Sequence, residues 1–243
     1  RTLVSTWITS AITIAIMVLF GAGLAVGYAG SPERADVAKD MISSGSTLGM
    51  IVVAVLGALV VTGEYASGQI RSSVVAVPHR GRLFAAKALV VAAFSFILGV
   101  TSVLLSYAVS YPFMKGHAGS LTNTHYLGLF WGTGLSFTVI ALMAMGLGYL
   151  TRSTAGAITV VVSLLFVVTI PLQLLAGRWH WAVLGLLPNT VADAVADPFS
   201  LSHHWGQAGT DTFLQHWQAI AVFVAWALVP MVIAGVLFTR RDV

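Results

Sequence analysis

The sequence predicts an all-α membrane protein: six transmembrane helices, a cytoplasmic elbow between the second and third, and short membrane-dipping helices before the sixth. Charged residues make up 8% of the chain and hydrophobic ones 58%, where a soluble domain carries roughly 25% charged residues. The apolar residues are gathered into long charge-free runs, and a bilayer core needs about 20 such residues per helix. Lys and Arg fall unevenly between these runs, as topology demands of a multi-pass protein. A single domain over residues 1–243 is expected.

The first run, Thr2 to Pro32, is uncharged throughout and long enough to span with tilt. Gly23 and Gly27 on it stand at the G-x-x-x-G spacing that permits close helix approach, the alternative being loose small-residue packing. The chain opens on Arg1 and is expected to continue upstream; the first run is too long for the apolar core of a signal peptide. SPERADVAKDMISSGS, polar and charged, reads as a surface loop or a short helix outside the bilayer. The second span covers Ser46 to Thr62, barely enough to cross, so that Glu64 falls near the membrane surface. The elbow follows, and then a third span from Leu83 to Tyr111, with Lys87 snorkelling from its first turns.

Tyr111-Pro112 closes that helix, and a turn-rich loop leads to a fourth span, Tyr126 to Leu150, rich in glycine. Thr151 to Thr154 is a short turn before the fifth span, Ala155 to Leu175, where Pro171 should kink or thin the last turns. A connection of some forty residues, Ala176 to His216, carries Trp179, Trp181 and Trp205 and should dip into or lie on the outer leaflet. The sixth span runs from Trp217 to Phe238 with Pro230 inside it.

Six spans place both termini on one side. That side holds Arg1, Arg71, Arg80, Arg82, Lys87, Arg152, Arg240 and Arg241, against Arg34, Lys39, Lys115 and Arg178 on the other. The bias puts the elbow and both ends in the cytoplasm. The formal net charge of +4 therefore speaks of membrane topology and not of nucleic acid, which is not an expected partner. The Ala-, Val- and Gly-rich composition hints at a GC-rich bacterial source, and with the apolar runs the expected location is the bacterial inner membrane.

Common catalytic signatures are missing: the sequence contains no G-x-x-x-x-G-K-[ST], no H-E-x-x-H and no G-x-S-x-G. His203-His204, with His180 and His216 in the same loop, have no carboxylate spacing to complete a metal site, and none is expected. With no cysteine there is no thiolate chemistry. No Asp, Glu, Lys or Arg lies in the middle third of any span, which disfavours ion-coupled carriers and intramembrane enzymes. An apolar, aromatic and hydroxylated interior suits an amphipathic or hydrophobic cargo, whose movement needs energy from elsewhere.

Gly63 to Lys87, GEYASGQIRSSVVAVPHRGRLFAAK, is the densest stretch. Gly63, Glu64, Tyr65, Gly68, Ile70, Arg71, Pro78, Arg80, Arg82 and Lys87 resemble the elbow of type-2 (drug and polysaccharide exporter) ABC transporter permease subunits, G-E-[YF]-x-x-G-x-[IV]-R followed by a proline and a basic cluster. The six-span layout, the membrane-dipping loop and the closing Arg240-Arg241-Asp242 fit as well; His79-Arg80 departs from a commoner Ser-Arg. The resemblance implies a cytoplasmic coupling helix, a second permease copy, and two copies of a cytosolic ABC ATPase. The chain itself would bind no cofactor and catalyse nothing, ATP and Mg residing on the partner.

On this reading Glu64 sits near a helix start, at the favourable end of its dipole. Ile70 and Val74 share a face that could fill a groove on the partner, and Arg71 pairs with an acid there or with Glu64. Glu64, Tyr65, Gly68, Ile70, Arg71, Val74, Pro78 and Arg80 are the coupling candidates. For Arg80, Arg82 and Lys87 the alternative is a topology anchor facing anionic lipid. The resemblance also implies a cargo path along the dimer axis, lined by the second and fifth spans. On the fifth, Val162, Phe166, Thr169 and Gln173 share a face at helical spacing. A rival reading is a membrane scaffold or sensor whose elbow docks a regulator without transport.

Overall fold

The computed structural model describes residues 2–28, 38–39, 41–76, 79–114, 121–122, 124–169, 171, 186–188, 191–192, 195 and 216–240. Among them there is no strand. The long helices are α1 (Thr2–Met17), continued through a π turn (Val18–Ala22) into α2 (Gly23–Tyr28), then α3 (Ser46–Ser67), the short α4 (Gln69–Ala76), and α5 (Arg80–Ser110). A 3-10 turn (Tyr111–Phe113) closes α5; then come α6 (Thr124–Thr151), α7 (Thr154–Val162) with a π turn (Ser163–Val167), and α8 (His216–Arg240). Five stretches, Val4–Tyr28, Ser46–Ser67, Arg80–Phe113, Tyr126–Thr151 and Trp217–Arg240, are long and apolar enough to cross a membrane; Thr154–Val167 is apolar but shorter.

α6 is the hub. Of its apolar window 72% is buried, against 22% for α8 and 33% for α5. Lipid offers apolar surface as readily as a neighbouring helix does, so close backbone approach must hold such a bundle together. A Cβ built on Gly57 of α3 would stand 2.1 Å from the Ala141 carbonyl oxygen of α6. One on Gly99 of α5 would stand 2.8 Å from Gly134 Cα, and one on Gly146 would meet Met231 and Pro230 of α8 at 2.9 Å. Gly23 and Gly27 behave differently: both are exposed, and a Cβ on either meets nothing within 4 Å. The G-x-x-x-G pair thus makes no close approach to the described residues; the packing glycine of that segment is Gly21, against Ile42 and Ser106.

Both π turns coincide with polar contacts made inside the bundle. The Met17 carbonyl, at the start of the first, accepts a hydrogen bond from the Ser106 hydroxyl of α5 at 3.1 Å. In the second, the Val168 N–H reaches back five residues to the Ser163 carbonyl at 2.8 Å, and the Thr169 hydroxyl donates to the Leu164 carbonyl at 3.2 Å. The irregularity expected at Pro171 therefore begins before it. Pro171 has no N–H to offer Val167, and the turn ending at Val167 is the one that widens.

Two other expectations shift. α3 runs five residues past Thr62, giving 22 residues and about 33 Å, a comfortable crossing. The segment after the first span is not wholly outside the core either, since Ala38 and Ile42 are fully buried. Most of the connection before α8, including Trp179, Trp181, Trp205, His180, His203 and His204, lies outside the described residues. Its described part includes Leu186, whose carbonyl accepts from the Trp226 indole N–H at 2.8 Å.

Candidate functional site

At the end of α3 the backbone turns at Gly68, which adopts φ 72° and ψ 2°, while its N–H bonds to the Tyr65 carbonyl. This left-handed geometry costs a side-chain-bearing residue about 1–2 kcal/mol and suits glycine. α4 starts on the next residue. Ile70 is buried in the bundle's own core and Val74 is half-buried against it, so this face holds the elbow to its own chain and is not free for a partner's groove. The outward face carries Ser72 and Val75, the latter 83% exposed. The side chain of Arg71 and all of Pro78 lie outside the described residues.

Glu64 lies in the last turn of α3, not at a helix start. That is the negative end of the dipole, unfavourable for a carboxylate. Lys87, on the second turn of α5, answers it: the ammonium donates to Glu64 Oε2 with both side chains largely covered. Lys87 is thus part of the joint, and the sequence cue was an acid and a base at facing ends of adjacent spans.

Tyr65 ties the elbow to the hub. The Arg152 guanidinium lies 5.3 Å from its ring centroid, and the Tyr149 ring stands edge-on to it at 6.4 Å. Tyr149 in turn packs on Phe84 of α5 at 5.0 Å and Phe238 of α8 at 5.1 Å. Arg152 itself takes φ 53° in the tight turn between α6 and α7, where Ser153 caps α7 by accepting from the Gly156 N–H. Thr62 donates its proton to the Ala58 carbonyl at 2.9 Å, which leaves Thr154 of α7 as donor in the 2.5 Å bond between the two hydroxyls. Five helices and the elbow thus meet at one end. Tyr149, Phe84, Phe238, Arg152 and Thr154 were not singled out from sequence, because each looks like ordinary core or turn.

Along the fifth expected span, Thr169 falls on the buried face with Ala157, Val161 and Leu165. Val162 and Phe166 lie half-buried beside that face, and Gln173 is outside the described residues. The extra residue of the π turn breaks the 3.6-residue repeat on which a single face for all four depended. An open apolar recess of about 620 Å³ lies between α6 and α8, lined by Met143, Leu147, Leu164, Trp226 and Pro230. Among the described residues no three His, Asp or Glu side chains gather as a metal site would require.

The family whose profile matches residues 11–243 is described as "Protein of unknown function (DUF2705)". The chain belongs to the DUF2705 family. This overturns the resemblance to type-2 ABC permease subunits, since no ABC transporter family is matched. The likeness rested on about a tenth of the chain, whereas the DUF2705 match takes in nearly all of it. The structure also explains part of the short motif without kinship: a left-handed turn selects Gly68, and a helix-end acid facing Lys87 selects Glu64. No curated protein matches the DUF2705 chain significantly.

Proposed function

We propose that the chain is the membrane-spanning subunit of an ATP-driven exporter, energised by a separate cytosolic ATPase that grips α4. In this reading six helices cross a bacterial inner membrane, the five long ones being joined by α7 with the residues after it as the fifth crossing in chain order, and both termini are cytoplasmic. Two permease copies and two ATPase subunits form the working unit. The cargo, amphipathic or hydrophobic, passes at the interface of the two copies, with Val162, Phe166, Thr169 and Gln173 as candidates to line it. ATP and Mg stay on the ATPase.

One observation carries the reading: an exposed eight-residue helix, α4, is braced against the bundle from one side only. Glu64–Lys87, Tyr65–Arg152 and buried Ile70 tie the elbow to α3, α5 and the α6 end, which supports a route for force from a partner into the bundle. A helix meant only to anchor topology needs no such bracing. Partner docking belongs to the outward face, where Ser72 and Val75 stand. The all-apolar lining of the recess beside α8 supports a hydrophobic rather than an ionic cargo.

The test is co-purification from the native host, followed by ATP hydrolysis by the complex in proteoliposomes. Val75→Asp should abolish partner capture while the isolated chain keeps its melting temperature, and Glu64→Ala and Arg71→Ala should lower cargo-stimulated hydrolysis several-fold. Hydrolysis indifferent to all three, or no ATPase captured at all, overturns the proposal; a regulator captured in its place favours the scaffold.

A further inference from the structure

A second polar feature lies at the same end of the bundle, on the junction of α5 and α8. It is an open recess of about 660 Å³ lined by His79, Arg80, Gly81, Arg82 and Thr239. Its described lining contains basic and neutral groups and no acid. α5 begins here: His79 precedes the first turn without capping it by its side chain. The Arg82 and Leu83 N–H groups return to the His79 carbonyl at 2.9 and 3.2 Å. The Gly81 N–H belongs to the same turn, and a Cβ at Gly81 would meet nothing within 4 Å, so the backbone there is open to approach. The start of a 31-residue helix adds positive potential to that of the guanidinium groups. Arg82 is exposed and has no ion pair with the described residues.

The depth of the recess follows from helix lengths. α5 spans about 46 Å at 1.5 Å per residue, well beyond a hydrocarbon core of about 30 Å. Residues from Ala88 onward are uncharged and fill that core, which sets Arg82 about 7 Å outward of Lys87 along the axis, at headgroup level. α8 ends at the same height, since Phe238 packs on Phe84 at 6.4 Å and Thr239 lines the recess. Both helices also show exposed apolar side chains to their surroundings, among them Leu89 and Val232.

We propose that this recess binds the phosphodiester headgroup of an anionic phospholipid of the cytoplasmic leaflet. Arg82 and the open first turn of α5 hold the phosphate, Arg80 and His79 flank it, and Thr239 offers a hydroxyl from α8. Basic clefts between helix ends are matched to such headgroups in charge and in depth. The inference requires the bundle to sit in a membrane with this end facing the cytoplasm; it does not require an ATPase partner.

The chain alone, in nanodiscs of phosphatidylcholine with or without phosphatidylglycerol, is released into native mass spectrometry and its retained lipid titrated. Phosphatidylglycerol should be held in preference to phosphatidylcholine. Arg82→Gln should weaken it about five-fold, from the worth of one basic residue near an anionic surface. Arg152→Gln removes the same charge from the same end of the bundle and should change nothing. Wild-type affinity should fall as salt rises, a readout that needs no variant to fold. Equal retention of the two lipids, equal loss in Arg82→Gln and Arg152→Gln, or indifference to salt overturns the proposal. Displacement of the lipid by inorganic phosphate at matched concentration also overturns it, making a free phosphate the ligand.

Discussion

Replacing one member of the Glu64–Lys87 pair tests whether the joint is a mechanical element or a decoration. An exposed ion pair contributes at most about 1 kcal/mol, and breaking a fully buried one costs about 3–5 kcal/mol because a charge is left behind. Here the side chains are 14% (Lys87) and 22% (Glu64) exposed, between these limits and nearer the second. Glu64→Gln and Lys87→Met should each cost about 2–3 kcal/mol, the first leaving an unpaired ammonium and the second an unpaired carboxylate at the wrong end of a helix dipole. The double variant leaves no charge behind and should cost about as much as one single, so the coupling energy is about 2 kcal/mol. The assay is reversible unfolding in mixed micelles, followed by far-UV circular dichroism across the four proteins of the cycle. Additivity within about 0.5 kcal/mol would refute the reasoning, since residues that do not touch behave that way.

The remaining predictions use the same titration. Gly57→Ala should destabilise by about 1–3 kcal/mol despite better helix propensity, because its Cβ would meet the Ala141 backbone; Gly63→Ala, with nothing within 4 Å, should stabilise by about 1 kcal/mol. Gly68→Ala should cost about 1–2 kcal/mol from the left-handed backbone, and Gly68→Asn less, with faster proteolysis of the elbow in the weaker variant. Tyr149→Phe should be neutral or stabilising by up to about 1 kcal/mol, since the buried Tyr149 hydroxyl has no hydrogen-bond partner among the described residues. A loss above that would place a partner on the hydroxyl.

The long apolar helices were legible because lipid imposes a rule on any helix able to cross it: charge-free runs of sufficient length mark Val4–Tyr28, Arg80–Phe113, Tyr126–Thr151 and Trp217–Arg240. Where the reading slipped, a tertiary contact had intervened. Glu64 looked like a stop for the second span, but Lys87 neutralises it and α3 runs on to Ser67. Ile70 and Val74 do share a face, yet periodicity does not say whether that face meets a partner or the chain's own core. Gly23 and Gly27 carry the familiar spacing yet pack against none of the described residues, while Gly57 and Gly146, without a motif, hold close approaches. The π turns are invisible locally, since one accompanies a hydroxyl 89 residues away. Within the joint Glu64 and Lys87 were singled out but given other roles, a helix-start acid beside Arg71 and a snorkelling base, and neither their pairing nor the aromatic half was read. Tyr149 and Phe238 resemble any core ring until the fold brings them together.

The arrangement around α6 has a consequence for biogenesis. The ribosome delivers α8 after every other described helix, yet α8 closes the bare backbone channel beside Gly146. Until it emerges, the partly built protein shows the insertion machinery a groove of glycine and apolar side chains with nothing in it. A premature stop before His216 would freeze that state. Such a fragment should be cleared by membrane proteases even though its earlier helices had already been inserted.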